Sequence, residues 1–172
     1  MDAILALQLP EIHREFDRPL YVAYVDLKAA FDSVDRLALW KALHGIGTPS
    51  IILNIISDLH TGTLSRVRLA DGSIATTSDV RQGCILAPTL FCCAIDWIME
   101  RVASQVGINV GDTRYTDLDY PDDVVLFGNS IQELGSALQH FHTVAGHLGL
   151  CVSWRKTKVQ NLGAGDNVGV FW

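Results

Sequence analysis

Leu118-Asp119-Tyr120-Pro121-Asp122-Asp123-Val124-Val125-Leu126-Phe127 is the stretch on which the fold turns. It reads as two strands, about 113–120 and 123–128, joined by a tight turn that carries paired aspartates. Far upstream, the apolar run Tyr21-Val22-Ala23-Tyr24-Val25 ends at a third carboxylate, Asp26, and reads as a buried strand over 21–26. If these strands are neighbours, Asp26, Asp122 and Asp123 converge at one sheet edge. Strand-terminal aspartates gathered from distant segments are the oxygen donors that a two-metal nucleotidyl-transfer site needs.

Working outward, residues 2–16 have a helical stripe of Ile4, Leu5, Ile12 and Phe16, which Pro10 should kink or split. A helix over about 35–44 has Asp32 or Ser33 as candidate caps, Leu37, Trp40 and Leu43 or His44 as its face, and Gly45 as its stop. Thr48-Pro49 opens another helix with the face Ile52, Ile55, Ile56 and Leu59. Residues 64–78 read as a hairpin around Asp71-Gly72. A helix beginning near Pro88 carries Phe91, Ala94, Ile95, Ile98 and Val102 toward a sheet. Another, over about 130–148, aligns Ile131, Leu134, Leu138, Phe141, Ala145 and Leu148, and Gly149 stops it. A last strand falls near 158–162, followed by a glycine-rich tail from Gly163 to Trp172 that is expected to fray. The sum is an α+β chain, a twisted and mainly antiparallel sheet with long helices on one face.

The 172 residues are enough for one domain with a sizeable core, and 49% hydrophobic content is ordinary for a globular chain. No apolar stretch approaches a membrane span, and Met1-Asp2-Ala3-Ile4 has no basic leader region. Cys84, Cys92, Cys93 and Cys151 form no Cys-x-x-Cys pair, so they read as reduced, mostly buried thiols. The net charge of −6 argues against a free-standing nucleic-acid binder. The basic groups, Arg66 with Arg68 and Arg155, Lys156 and Lys158, are too sparse for a strong phosphate grip. His13, His44, His60, His140, His142 and His147 have no carboxylate or cysteine at convincing ligand spacing.

Four segments, taken in order, carry a resemblance. They are Tyr24-Val25-Asp26-Leu27-Lys28-Ala29-Ala30-Phe31-Asp32-Ser33-Val34-Asp35, Val80-Arg81-Gln82-Gly83-Cys84-Ile85-Leu86-Ala87-Pro88-Thr89-Leu90-Phe91, Asp119-Tyr120-Pro121-Asp122-Asp123-Val124-Val125-Leu126-Phe127 and Gly149-Leu150-Cys151-Val152-Ser153-Trp154-Arg155-Lys156-Thr157-Lys158. A lone Asp-Asp is nearly worthless as a signal; four such elements at this spacing are strong. From about Leu20 to Gln160 the chain resembles the palm of a reverse transcriptase, an RNA-directed DNA polymerase, of the non-long-terminal-repeat, LINE-type retrotransposon class. The resemblance implies a polymerase palm with a ferredoxin-like antiparallel sheet backed by helices, plus partial fingers.

It also implies roles. Asp26, Asp122 and Asp123, with the Leu27 backbone carbonyl, would hold two Mg²⁺ ions, with Mn²⁺ as a substitute, since hard cations take oxygen ligands. Asp123 needs a turn geometry to contribute, because consecutive strand residues point to opposite faces. The reaction joins a deoxynucleoside triphosphate to a primer 3′-hydroxyl on an RNA template, and needs no protein nucleophile. Phe31, otherwise a core aromatic, would be the steric gate under the incoming sugar. Asp32 is equally a helix cap or a group near substrate. Gln82 and Gly83, blandly a surface amide and a turn glycine, would shape the nucleotide pocket, with Arg81 on nucleic acid or triphosphate. Lys156, otherwise a solvated lysine, would protonate the pyrophosphate leaving group, with Lys158 as its rival.

Two departures stand out. The residue before the paired aspartates is commonly alanine or methionine in this family, in a turn resembling a primed hairpin turn whose first central residue needs positive φ. Pro121 is locked at about −65°, and misplacing reactive groups by about 1 Å costs roughly 100-fold in rate. The chain also reads as a fragment, with palm core about 20–162 and with the thumb and most of the fingers absent, so weak activity and a weak nucleic-acid grip are expected in isolation. The competing reading is a catalytically dead retrotransposon remnant acting as a protein-interaction or RNA-binding module. An RNA-recognition domain would show exposed sheet aromatics and a basic surface. A cyclase or an RNA-dependent RNA polymerase shares the two-metal logic, and Phe31 and Arg81-Gln82-Gly83 separate the chain from both. The resemblance implies an intracellular setting, the nucleus for a parent element.

Overall fold

β1 (Tyr21–Lys28) is the strand around which the sheet is built. In the computed structural model, which describes residues 2–28, 33–61, 65–69, 72–76, 85–120, 123–165 and 170–171, β1 is paired on both sides. On one side it runs antiparallel to β7 (Asp123–Gly128), from Tyr21 opposite Gly128 to Asp26 opposite Asp123. On the other it pairs with β9 (Lys158–Asn161) at Tyr21–Tyr24 and with the two-residue β8 (Cys151–Val152) at Leu27–Lys28. β6 (Asp117–Tyr120) extends the sheet beyond β7, and β10 (Val170–Phe171) extends it beyond β9. Each of these pairings is antiparallel, as the sequence predicts.

The two faces of β1 meet different surroundings, because side chains alternate across a strand. Ala23, Val25 and Leu27 are buried with Val124, Leu126, Val152 and Val159 under the helices. Two long helices supply that layer. α4 (Ala87–Val102) buries Phe91, Ala94, Ile95, Ile98 and Val102, the whole predicted stripe, and carries its proline in the first turn, where a missing N–H costs nothing. α5 (Ile131–Gly146) buries Leu134, Leu138, Phe141 and Ala145, while Ile131 is only half-buried. Its first turn is capped by the Ser130 hydroxyl, which accepts from the Glu133 N–H at 3.2 Å. Burial of each such large apolar side chain contributes about 1.5–3 kcal/mol. Gly149 closes the helix at φ +79°, and a Cβ there would collide with the Ser33 carbonyl oxygen. The same crossing is tied by the Asp35 N–H, which donates to the Leu148 carbonyl at 2.8 Å.

The opposite face is partly covered, a departure from the one-sided expectation. Leu9 from α1 (Asp2–Glu15) packs with Leu20, Val22 and Phe127 and with Ile108 of β4 (Ile108–Val110). β4 forms a small hairpin with β5 (Thr113–Tyr115), so the predicted 113–120 strand is interrupted at Thr116. Toward Tyr24 and Asp26 this face is open.

Other sequence expectations are corrected here. α1 runs unbroken through Pro10, and its buried side is set by Leu9 and His13, whose Nδ1 lies 2.9 Å from the Leu9 carbonyl; Phe16 is 64% exposed. α2 (Arg36–Gly45) is capped by Asp35, whose carboxylate accepts from the Ala38 N–H at 3.0 Å, while the Ser33 hydroxyl donates to the Lys28 carbonyl. Its buried residues are Leu39, Ala42 and Leu43; Leu37 is exposed. α3 (Ser50–His60) buries Leu53 and His60, leaving Ile52, Ile55 and Leu59 in solvent and Ile56 half-buried. The predicted hairpin is present as β2 (Ser65–Leu69) and β3 (Gly72–Thr76), with Leu69 opposite Gly72. The tail is held rather than frayed at Gly163 and Ala164, whose N–H groups donate to Asn161 Oδ1 and the Arg18 carbonyl, and again at β10. Cys92 and Cys93 are half-buried and Cys151 is exposed, less enclosed than expected; Cys84 lies outside the described residues. Among the described residues no helix is long and apolar enough to cross a membrane.

Candidate active site

Asp26 is the second-last polar residue of β1 and faces the open side of the sheet. The register sets it directly opposite Asp123, the first residue of β7. Tyr120 is also opposite Asp123, so residues 121 and 122 alone connect β6 to β7. The predicted aspartate hairpin is therefore present, and β1 lies beside it. Pro121 and Asp122 themselves, and the Asp123 side chain, lie outside the described residues, as do Phe31, Asp32, Arg81, Gln82 and Gly83.

The Asp26 side chain is 34% exposed, yet its Oδ2 is buried and accepts no hydrogen bond. The ammonium of Lys156 stands 3.5 Å from that oxygen. Lys156 comes from the turn between β8 and β9. At that turn the Ser153 N–H donates to the Asp26 carbonyl at 2.7 Å, and the Asp26 N–H donates to Thr157 Oγ1 at 3.4 Å. Thr157 and Ser153 are buried; neither stood out in the sequence, because their partner lies more than a hundred residues away. A cavity of about 470 Å³ opens here, lined by Tyr24, Val25, Asp26, Val124, Val125, Lys156 and Lys158. Both candidate lysines thus border the same space, and Lys156 is the one in contact with Asp26. Leu27 is buried on the helix side and pairs with Val152 of β8.

Among the described residues no group of three or more His, Cys, Asp or Glu side chains could hold a metal ion. Asp26 nevertheless offers what a hard cation takes. A buried carboxylate oxygen without a hydrogen-bond donor is a hard oxygen ligand of the kind Mg²⁺ takes, with further ligands from water and phosphate. A second acidic cluster lies elsewhere, at the β6 edge. The Asp96 carboxyl is held above the ordinary carboxylate range by partial desolvation, then by Glu100 and Asp117. Burial, with Asp96 and Cys92 nearby, likewise pushes up the Cys93 thiol.

Comparison with known proteins bears on the family and the fold. The profile of the reverse transcriptase (RNA-dependent DNA polymerase) family matches residues 7–165. The Retrovirus-related Pol polyprotein from type-1 retrotransposable element R2 of Nasonia vitripennis is 29% identical over 140 residues, covering 80% of this chain and 14% of that protein. The Pol polyprotein from type-2 retrotransposable element R2DM of Drosophila melanogaster is 27% identical over 130 residues, covering 74% of this chain and 12% of its own length. The chain therefore spans about one-seventh or less of these two relatives. Among solved structures, apo telomerase from Candida tropicalis, truncated from its C-terminal domain, superposes with a TM-score of 0.67 over 98% of this chain and 36% of that one, at 16% identity. Telomerase from Candida albicans, in complex with a TWJ fragment of telomeric RNA, gives 0.67 over 99% and 33% at 12% identity. At such identities the likeness is one of fold, an α+β palm with an antiparallel sheet backed by helices.

Proposed function

Because the chain belongs to the reverse transcriptase (RNA-dependent DNA polymerase) family and is related to the Pol polyproteins of R2-type retrotransposable elements, we propose that it is the palm of an RNA-directed DNA polymerase. It extends a DNA primer on an RNA template with deoxynucleoside triphosphates. Family membership implies a metal-dependent mechanism; the finer assignment is two Mg²⁺ ions at the β1–β7 edge. The observation that carries it is the pairing of Asp26 with Asp123 across neighbouring strands, with the Asp26 Oδ2 buried and short of a hydrogen-bond donor.

In this reading Asp26, Asp122 and Asp123 hold the metal ions, with the Leu27 carbonyl as a further oxygen. Bound there, the ions would supply Lewis-acid chemistry, a lowered pKa for the primer hydroxyl and neutralised charge on the phosphates. The rest falls to the chain's own residues. The open face at Tyr24 and Val125 leaves room for the primer end and the triphosphate. Lys156 keeps a proton at Nζ beside Asp26 and delivers it to the pyrophosphate oxygen as that oxygen gains charge. Phe31 excludes a sugar 2′-hydroxyl, and Arg81, Gln82 and Gly83 shape the nucleotide pocket. With a net charge of −6, this segment grips nucleic acid weakly by itself.

The test is RNA-templated primer extension with Mg²⁺, with residues 7–165 grafted into the matching segment of the Nasonia vitripennis polyprotein. Deoxynucleotide addition by the graft, lost in Asp26→Asn, supports the assignment. A graft that copies RNA equally well with Asp26→Asn would remove the site from this edge.

A further inference from the structure

β1 has a gap in its ladder at the candidate catalytic residue. On the side away from β7, β9 reaches only to Tyr24 and β8 begins only at Leu27. The main-chain groups of Asp26 would go without a partner on that side, an unfavourable state for a half-buried strand. The turn between β8 and β9 fills the gap. Its first residue, Ser153, donates its N–H to the Asp26 carbonyl at 2.7 Å, and its last, Thr157, receives the Asp26 N–H on Oγ1 at 3.4 Å. The turn is closed on itself, with the N–H groups of Lys156 and Thr157 both donating to the Ser153 carbonyl at 2.9 Å. It is anchored from behind by Trp154, whose ring meets His142 of α5 edge-on at 5.4 Å.

From this we propose that the Thr157 hydroxyl is a positioning group for Asp26, and that the Ser153–Thr157 turn acts as a clip that sets both the Asp26 main chain and the place of Lys156. The inference rests on the assignment of Asp26 as a metal ligand. Thr157 is 1% exposed, a place where valine would fill the same shape with no polar atom to satisfy. A hydroxyl there directed at one peptide N–H gives β1 a fixed end at the residue whose carboxylate matters. The adjacent residue in the same turn, Lys156, brings its Nζ to 3.5 Å from that carboxylate. One five-residue turn therefore governs two groups that must stay in register with each other.

The experiment compares this chain with its Thr157→Val, Thr157→Ser and Asp26→Asn variants. Two quantities are read: amide hydrogen exchange at Asp26, and the dissociation constant for Mn²⁺. Thr157→Val should speed Asp26 exchange and weaken Mn²⁺ binding, each by up to about tenfold, the size of one buried hydrogen bond. Thr157→Ser keeps the oxygen and should restore both to within about twofold of the parent, well inside that effect. If Thr157→Val leaves both quantities at the parent value, Thr157 is only core filler and the clip is wrong. If Val and Ser weaken both equally, packing rather than the hydroxyl is responsible, which also overturns it. Mn²⁺ binding that ignores Asp26→Asn would instead overturn the metal-site assignment and, with it, the role of the clip, while the exchange rates would still show whether Thr157 holds Asp26.

Discussion

Lys156 Nζ stands 3.5 Å from Asp26 Oδ2, an oxygen that is buried and accepts no hydrogen bond. The ammonium has the same sign of charge as the metal ion proposed for this edge, so the two would compete for one oxygen. Lys156→Met should tighten Mn²⁺ binding by roughly two- to fivefold, the range of a partly exposed ion pair. It should also lower the rate of nucleotide addition in the grafted polyprotein, because the proposed proton donor is gone. Lys158 lines the same cavity, so Lys158→Met is the control. Equal tightening by both substitutions would mean that general charge, not direct competition, is at work.

Asp96 gives a pH dependence with a definite sign. Its folded-state pKa is raised by desolvation, then by Glu100 and Asp117. The folded chain therefore holds this proton more tightly than the unfolded chain does. Stability falls as pH rises from the ordinary carboxylate range through the raised folded value, and the cost is fully present above it. Asp96→Asn should raise Tm at pH 7 and lose that advantage as pH drops below the ordinary carboxylate range. Thermal melts across pH check this; a Tm difference that does not vary with pH would contradict it.

Gly149→Ala should destabilise the chain by about 2 kcal/mol or more, since a Cβ at positive φ alone costs roughly 1–2 kcal/mol. The further penalty comes from contact with the Ser33 carbonyl oxygen and the Asp35 N–H group. Chemical denaturation measures it. A change below about 0.5 kcal/mol, the size of an unremarkable surface substitution, would show that the α5 crossing relaxes freely.

Much of this architecture was legible because its signals are strong and local. The α4 stripe of Phe91, Ala94, Ile95, Ile98 and Val102 has one apolar side, so period alone orients it. The paired aspartates between two β-rich runs fix the β6–β7 hairpin. α3 is present as expected, but its buried face differs, because Ile51, Ile52, Leu53, Ile55, Ile56 and Leu59 are apolar nearly all round. Period cannot choose a face in such a helix, and the core takes Leu53 and His60 instead. β8 is only two residues long and leaves no alternation to read. Thr157 and Ser153 were invisible for a different reason: their bonds to Asp26 depend on where a gap in the ladder falls, which no local pattern records. For the site, the Asp26–Asp123 register and the Lys156 contact are now placed, whereas Phe31, Arg81, Gln82, Gly83, Pro121 and Asp122 lie outside the described residues.

Phe31 is tested by selectivity rather than by rate. In the active graft, Phe31→Ala opens volume beside the sugar 2′ position and should lower the ratio of deoxynucleotide to ribonucleotide kcat/KM by about 10- to 200-fold, the discrimination that a small steric difference supplies. An unchanged ratio would return Phe31 to a packing role.

The most direct measurement is a map of where a divalent cation binds this chain. Mn²⁺ added to the isotopically labelled protein broadens the resonances nearest to it. We expect broadening first at Tyr24, Val25, Asp26, Val124, Val125 and Lys156, the residues around the cavity at the β1–β7 edge, and its loss in Asp26→Asn. Broadening centred instead on Asp96, Glu100 and Asp117, or unaffected by Asp26→Asn, would contradict the assignment of this edge as the metal site.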